Sequence, residues 1–326
     1  MKRKFFLYAL LVAFIATFSF TGCKDDSTDV EVDEYALLSD YMKANNMDLD
    51  KMATSFVIGA PADSVASIAF LSAKYVMDIR SAADFAAGHV NGAINVPFAN
   101  ILTEAAKATK PILVVCYTGQ TATYASTLLR MYGYPDAAAL KWGMSGWNAK
   151  YDKWTANCKD LTTATNWNTT ATEASTYGSP TITTGKTTGI DILKARVEAV
   201  VAAGFKSVVP ADVLGTPANY YVNNYISAEH YAGFGHVSGA VRIQPLLLAD
   251  NSIKKLNPAK EIVTYCYTGQ TSGVVSAWIN VLGYNGKSML WGLNGVTTTN
   301  TFWTTPNVIT NHWGYDSKPK TLPTVK

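Results

Sequence analysis

The chain of 326 residues lacks the short motifs that identify many enzyme classes. It has no Gly-rich phosphate loop ending in Gly-Lys-Ser/Thr, no dinucleotide-binding glycine fingerprint and no Cys/His spacing typical of zinc sites. Its formal net charge is only +3 and its basic residues are scattered, which argues against nucleic acid as a partner. We therefore expect neither a cofactor nor a metal ion.

Cysteine is also scarce, with four residues in the whole chain, yet two of the four lie in the same motif. Cys116–Thr121 and Cys266–Thr271 both read Cys-Tyr-Thr-Gly-Gln-Thr, 150 positions apart. Each copy follows a short apolar run and precedes a helix-like segment, so each cysteine is predicted at the carboxyl end of a buried strand. Open α/β sheets bind ligands at that edge. The rest of the chain is interpreted as the framework that holds these two loops.

Such a loop has a defined chemistry. Gly119 and Gly269 permit a sharp turn, and a helix is predicted to start near Thr121 and Thr271, whose hydroxyls can cap it. Successive backbone amides would then point at the sulfur, which lowers a thiol pKa and favours the nucleophilic thiolate. The predicted binding residues are Tyr117, Thr118, Gly119, Gln120 and Thr121 in the first copy, and Tyr267, Thr268, Gly269, Gln270 and Thr271 in the second.

Two other interpretations of a cysteine loop before a helix are weaker. Protein tyrosine phosphatases place an arginine at the sixth position after the cysteine, because its guanidinium binds phosphate with two hydrogen bonds. Here that position holds Ala122 and Ser272. A buried structural cysteine is the commonest role for a lone cysteine, but the repeated loop argues against that role for both copies.

The segments before and after the first loop carry a family resemblance. Asp78-Ile79-Arg80, Gly88-His89-Val90 with Gly92–Pro97, and Trp142–Trp147 follow one another in that order around Cys116. With a six-residue cysteine loop, this arrangement resembles the rhodanese (sulfurtransferase) family. The resemblance implies that Cys116 and Cys266 are catalytic and carry a persulfide, and that Asp78, His89 and His236 are structural. Arg80 would either bind an anionic donor or form a salt bridge to Asp78 or Asp84.

The second half repeats these features with losses. Asn224-Tyr225-Ile226 replaces the Asp-x-Arg pattern, while Gly235–Ala240 and Trp291–Gly295 are retained. The resemblance implies two rhodanese-like domains, each a doubly wound, mainly parallel α/β sheet flanked by helices. The expected division is a signal peptide (1–22), a tether (23–34), domain 1 (35–155), a Thr-rich linker (156–189), domain 2 (190–300) and a C-terminal tail (301–326), whose Trp303 and Trp313 we expect to pack back onto a domain.

The N-terminus predicts export. Lys2–Lys4 is a basic segment, and Phe5–Phe20 is an apolar run of sixteen residues, too short to favour a membrane span. The small residues before Cys23 resemble a bacterial lipobox, which implies lipidation of Cys23. We therefore expect a lipoprotein anchored in the envelope of a Gram-negative-type bacterium, periplasmic or surface-exposed.

The predicted function is sulfur transfer through a cysteine persulfide, from a small sulfane donor to a thiol or cyanide, by a monomer. Neither loop contains a basic residue, which thiosulfate-preferring members often have, so persulfide and polysulfide remain alternative donors. Cys116 is expected to be the better catalyst, because only its domain has Asp78 and Arg80. The alternatives are a non-catalytic binding module or sulfur carrier, and a thiol-redox role that pairs either loop cysteine with Cys158.

Overall fold

The structure is a computed structural model that describes residues 32–315 and 318–326. The predicted signal peptide, most of the tether and Cys23 lie outside this part of the chain. Residues Asp33–Lys326 form one compact unit. Within the described ranges no helix is both long and apolar enough to cross a membrane.

The first half of the unit is built on five parallel strands. They are β1 (Val57–Ile58), β2 (Tyr75–Asp78), β3 (Ile94–Asn95), β4 (Ile112–Val115) and β5 (Ala138–Leu140), hydrogen-bonded in the order β1-β5-β4-β2-β3. The helices are α1 (Glu34–Ala44), α2 (Leu49–Met52), α3 (Ser64–Ser72), α4 (Ala82–Ala87), α5 (Ile101–Ala105), α6 (Gln120–Tyr132) and α7 (Gly143–Trp147).

The second half repeats this sheet. Its parallel strands are β7 (Ser207–Val208), β8 (Tyr221–Asn224), β10 (Val241–Arg242), β11 (Glu261–Tyr265) and β12 (Asn285–Met289), in the order β10-β8-β11-β12-β7. Its helices are α8 (Gly189–Ala203), α9 (Pro210–Gly215), α10 (Ala228–Phe234) and α11 (Gln270–Val281). Counted along each half, the two strand orders are the same, and the predicted pair of mainly parallel α/β sheets is confirmed.

Strand β4 shows why these segments form the centre of a sheet. All four of its residues, Ile112 to Val115, are buried. Ile112 and Val114 belong to one hydrophobic core, while Leu113 and Val115 belong to another on the opposite face. A strand covered on both faces reads as a continuous apolar run, as parallel central strands do. The residue after it, Cys116, therefore comes to the carboxyl edge of the sheet.

The helices that follow the two cysteine loops, α6 and α11, pack against each other and join the halves. Their first turns approach closely, since a Cβ on Gly273 would come within 2.6 Å of Thr123 Oγ1 and 3.0 Å of the Gln120 carbonyl oxygen. Thr123 Oγ1 also donates to the Gln270 carbonyl oxygen at 3.0 Å. Asn280 Nδ2 donates to the hydroxyl of Tyr124 at 3.0 Å. One hydrophobic core consequently extends from the first sheet into the second.

The N-terminal helices pack on the second half. Helix α1 lies against α8, and α2 lies against α11. The Asp48 carboxylate accepts hydrogen bonds from the amides of Leu248 and Ala249, and Trp278 Nε1 donates to the Met47 carbonyl at 2.8 Å. The Thr-rich segment also packs on the second half, because its strand β6 (Trp167–Asn168) pairs antiparallel with β9 (His236–Val237).

The end of the chain returns to the first half. Residues 318–326, named here the C-terminal strap, place Leu322 in the hydrophobic core of the first sheet. The amide and carbonyl of Val325 each bond to the backbone of His89 at 2.9 Å, and Trp147 Nε1 donates to the Pro323 carbonyl. The predicted return of the tail tryptophans is also seen, because Trp303 and Trp313 are both buried.

Candidate active site

The Cys116 loop lies at the carboxyl end of β4. The Gly119 amide donates to Cys116 Sγ at 3.2 Å, and Gly119 has a φ of +82°, the left-handed value that the turn requires. Helix α6 begins at Gln120, one residue earlier than predicted, so the expected cap by Thr121 is wrong. Thr118 Oγ1 instead accepts from the Gln120 amide and side chain, at 3.5 and 3.1 Å.

The Cys266 loop has the same backbone shape. Gly269 has a φ of +74°, and the Gln270 amide donates to Thr268 Oγ1 at 3.2 Å, so the predicted cap by Thr271 is wrong here as well. The amide of Ser272, in the first turn of α11, donates to Cys266 Sγ at 3.4 Å. Both glycines form the predicted turn. Several amides bond to the sulfur of Cys116, as predicted, whereas at Cys266 one amide, that of Ser272, does so.

Electrostatics at Cys116 differ from the expectation. Burial raises the pKa of the Cys116 thiol. Hydrogen bonds from the amides of Thr118, Ala122 and Gly119 lower this pKa, but the nearby charge of Asp78 raises it. The prediction of a lowered pKa is therefore wrong for Cys116 as a free thiol, because the desolvation of the sulfur outweighs the amide donors.

A second turn supports each loop from below. Trp142 and Gly143 both have positive φ values, 66° and 58°, and a Cβ on Gly143 would collide with the Cys116 carbonyl oxygen. The Met144 amide donates to that oxygen at 2.8 Å. Trp291 and Gly292 repeat the arrangement beneath Cys266. In each half, the glycine of the Trp-Gly pattern thus contacts the backbone of the cysteine loop more closely than a residue with a Cβ could.

The two loop glutamines face the opposite half of the molecule. Gln270 Nε2 donates to the Thr118 carbonyl at 3.0 Å, and Gln120 Oε1 accepts from the Trp291 amide at 2.7 Å. Both glutamines are buried. The identical Gln in the two copies therefore ties each loop to the other, and its side chain is already occupied by that contact.

Arg80 and Asp78 form a buried ion pair. Arg80 Nη2 lies 2.6 Å from Asp78 Oδ2, with side chains 1% and 0% exposed, and it also donates to the Gly88 carbonyl at 2.8 Å. Of the two predicted roles, the structure shows the salt bridge to Asp78. Arg80 and the exposed Lys153 each lie over the ring of Tyr117, at 5.0 and 5.3 Å from its centroid, so Lys153 is a basic group near the loop that sequence reasoning missed.

The Cys266 site has uncharged residues in place of this ion pair. Asn224 and Ile226 stand where Asp78 and Arg80 stand in the first half, and Arg242 donates to the Ile226 carbonyl at 2.8 Å. His230 is bonded to the Tyr267 hydroxyl, whereas the Tyr117 hydroxyl bonds to Asp84 at 2.6 Å. Serine caps place Asp84 and His230 at the same turn of α4 and α10, a correspondence that the Ser-x-x spacing could have revealed.

The two histidines that were predicted to be structural bond to backbone carbonyls and not to the loop sulfurs. His89 stacks on Phe85, with ring centroids 3.6 Å apart, and its Nδ1 bonds to the Phe85 carbonyl. His236 Nδ1 bonds to the Asn168 carbonyl at 2.7 Å, and burial lowers its pKa to about 4. Cys158, partly exposed, packs beside Trp142, Trp154, Trp291 and Trp313 as a free thiol.

Comparison with known proteins finds one family in both halves of the chain. A family model for the rhodanese-like domain matches residues 65–150 and 226–298. The thiosulfate sulfurtransferase GlpE of Pseudomonas fluorescens is 36% identical over 78 residues, covering 23% of this chain and 72% of that protein. GlpE of Shewanella oneidensis is 33% identical over 75 residues, covering 22% and 74%. A crystal structure of thiosulfate sulfurtransferase from Pseudomonas aeruginosa has 16% identity and a TM-score of 0.28. The match covers 82% of this chain and 47%, about half, of that one.

Proposed function

The chain belongs to the rhodanese-like domain family, and from this membership and its two cysteine loops we propose that it is a sulfurtransferase working through cysteine persulfides. One observation carries the proposal. In both halves, a backbone amide donates to a cysteine sulfur at the carboxyl end of a central parallel strand, Gly119 to Cys116 and Ser272 to Cys266. This is the geometry that holds a sulfur anion in place.

The reaction has two displacements. The Cys116 thiolate attacks the sulfane sulfur of the donor, the sulfur–sulfur bond within the donor breaks, and the donor remainder leaves with the electron pair. The cysteine now carries a terminal sulfur anion. An acceptor thiolate or cyanide then attacks this terminal sulfur, and the Cys116 thiolate is the leaving group. The amides of Thr118, Gly119 and Ala122 hydrogen-bond to the Cys116 sulfur and offset part of the cost of burying its anion.

Cys116 is proposed to exchange sulfur more readily than Cys266. The reason is access: Cys116 is 6% exposed and Cys266 only 1%. Near Cys266, the Tyr267 ring packs among the aromatic rings of Phe234 and Trp303. The presence of Asp78 and Arg80 in the first half alone is a further reason, although Arg80 Nη2 is already bonded to Asp78 and Gly88, and only Nη1 has no hydrogen-bond partner among the described residues.

A neutral or singly charged donor suits the first site best. Its loop has no basic residue, and two cations close to it, Arg80 and Lys153, lie over the ring of Tyr117. We therefore propose a low-molecular-weight persulfide, or a singly protonated polysulfide, in preference to thiosulfate. A non-catalytic sulfur carrier is the second candidate, favoured by the near-complete burial of Cys266.

The test uses the fragment from Lys24 onward, which includes the compact unit Asp33–Lys326. Thiosulfate and a persulfide donor are offered separately, with cyanide as acceptor, to the wild type, Cys116→Ser, Cys266→Ser and the double variant. We expect the largest loss of turnover with Cys116→Ser and a higher rate with the persulfide. Equal turnover by the single variants would contradict the ranking. No turnover and no persulfide mass on either cysteine would support the binding-module alternative.

The activity is proposed to reside at the cell envelope, on a lipid anchor at Cys23. This proposal rests on the sequence pattern of residues 1–23 alone. Metabolic labelling with a fatty-acid analogue should mark the wild type and leave Cys23→Ala unlabelled. Labelling of both proteins to the same extent would contradict it.

A further inference from the structure

The surroundings of the two loop cysteines differ in a pair of buried hydroxyls. Cys266 Sγ lies 3.8 Å from Ser272 Oγ, which lies 2.8 Å from Ser288 Oγ. Ser288 Oγ in turn donates to the carbonyl of Gly269, in the same loop, at 3.3 Å. Cys266 is 1% exposed and both serines are 0% exposed, so no bulk water competes for these contacts. A chain of hydrogen bonds therefore connects the sulfur to its own loop.

The first half has no such chain, although its backbone is equivalent. Ser272 and Ala122 are each the sixth residue after the loop cysteine. Ser288 pairs in register with Thr264 of the cysteine-bearing strand, and Ala139 pairs in the same way with Val114. Alanine at both positions of the first half shows that this fold packs there without hydroxyls. The fold itself thus gives no reason for the two serines.

The hydroxyl chain can serve either charge state of the sulfur. In the thiol form, Cys266 Sγ–H donates to Ser272 Oγ, Ser272 can donate to Ser288, and Ser288 donates to Gly269. When the thiol proton leaves to a base in solution, both hydroxyls can rotate, so that Ser288 donates to Ser272 and Ser272 donates to the sulfur anion. No proton moves along the chain, because its far end is a carbonyl oxygen that accepts only.

We propose that Ser272, oriented by Ser288, is a positioning residue that gives the Cys266 sulfur anion a side-chain hydrogen bond which the Cys116 site lacks. The amide of Ser272 already donates to this sulfur at 3.4 Å, so one residue supplies two donors. Hydrogen bonds to a charged acceptor are stronger than those to a neutral one, most of all in a buried site. The hydroxyl therefore favours the thiolate over the thiol.

A nearby charge also distinguishes the two sulfurs. Asp78 ends β2 beside Val115, and its carboxylate disfavours a thiolate on Cys116. Asn224, beside Tyr265, is the neutral counterpart near Cys266. The titratable groups that interact with Cys266 are Tyr225, which follows β8, and Tyr267 of the same loop. The negative charges of Asp50 and Asp48 reach this side of the site through Tyr225.

Two further titratable groups reach the second site through Tyr267. His230 of α10 bonds to the Tyr267 hydroxyl, and the positive charge of Arg242, which ends β10, acts on that same ring. Neither contributes a negative charge. If the chain transfers sulfur as proposed above, a more open Cys116 would exchange sulfur readily, while Cys266 would hold a sulfur anion more firmly.

The test follows thiolate formation through the pH dependence of alkylation and needs no sulfur transfer. The full-length protein is alkylated with iodoacetamide across a pH series, and the Cys116 and Cys266 peptides are quantified by mass spectrometry in the same sample. Ser272→Ala should raise the Cys266 midpoint by about one pH unit, a tenfold loss of thiolate below it, with Cys116 unmoved. Ser288→Ala should shift Cys266 in the same direction by less.

The matched control is Ser276→Ala. Ser276 is also a fully buried serine of α11, but its hydroxyl has no hydrogen-bond partner within residues 32–315 and 318–326. We expect this variant to leave both midpoints unchanged. An unmoved Cys266 midpoint in Ser272→Ala, or an equal shift of both cysteines, would overturn the proposal. Absence of sulfur transfer in the wild type would refute the proposed function but not this assignment.

Discussion

Replacing the buried Asp78–Arg80 ion pair by its counterparts in the second half gives a sharp test of how the first half is held together. Arg80 Nε and Nη2 make three contacts to the two Asp78 oxygens, at 3.0, 3.1 and 2.6 Å. Both side chains are at most 1% exposed, so neither charge can be hydrated when its partner is lost. Removing one member of such a pair costs about 3–5 kcal/mol, because the other charge stays buried and unpaired.

Asp78→Asn and Arg80→Ile should each destabilise the protein by about that amount. The double variant copies Asn224 and Ile226, removes both charges and should cost only about 1–2 kcal/mol, chiefly for the hydrogen bond that Gly88 loses. The coupling between the two changes should therefore amount to several kcal/mol. Urea unfolding followed by tryptophan fluorescence measures all four proteins of this cycle.

The control is an exposed ion pair. Lys43 Nζ lies 2.8 Å from Asp40 Oδ1, with side chains 41% and 72% exposed, and Asp40→Asn should change stability by about 0.5 kcal/mol or less. A double variant as unstable as the sum of its single variants would refute the reasoning, since it would mean that packing of Arg80, and not pairing of charge, stabilises this region.

Three further predictions concern other contacts. Gln270→Ala leaves the Thr118 carbonyl without its donor from the other half and should cost about 1–3 kcal/mol in urea unfolding, while a loss near zero would show that the contact is replaceable. Because burial holds the pKa of His236 near 4, below its unfolded value of 6.5, its contribution to stability should be complete above pH 6.5 and be lost as the pH falls towards 4. His236→Gln should flatten that slope in pH-dependent unfolding, and an unchanged slope would contradict it. Leu322→Ala should cost about 2–4 kcal/mol, against a negligible loss for the exposed Thr321→Ala, and equal losses would mean that Leu322 is not a core residue.

The parts of the fold that depend on local sequence pattern could be predicted from the sequence. The apolar run before Cys116 and the repeated order of motifs correctly predicted the parallel sheets and the loops at their carboxyl edges. The glycine at position 119 correctly predicted the sharp turn, where its φ is positive. The start of α6 was predicted one residue late, because a threonine looks like a cap whereas here the left-handed glycine occupies that position. Backbone geometry at a helix start depends on φ values that composition does not reveal.

What the sequence did not predict depends on contacts between distant segments. The apolar face of α1 shows that it packs on something, but not that its partner is α8. Gln120 and Gln270 looked like ligand contacts, because a sequence does not show that the two loops face each other. The raised pKa of the Cys116 thiol was not predicted for the same reason, because burial of this sulfur depends on contacts between distant segments.

The C-terminal strap has a consequence for how the protein folds. Leu322 finishes one face of the core of the first sheet, although it lies far along the chain from every strand of that sheet. Until residues 318–326 dock, the first half exposes an apolar surface and leaves the backbone of His89 without its partner Val325. The first sheet therefore cannot complete its core from its own half of the chain, and its folding is coupled to that of a distant segment.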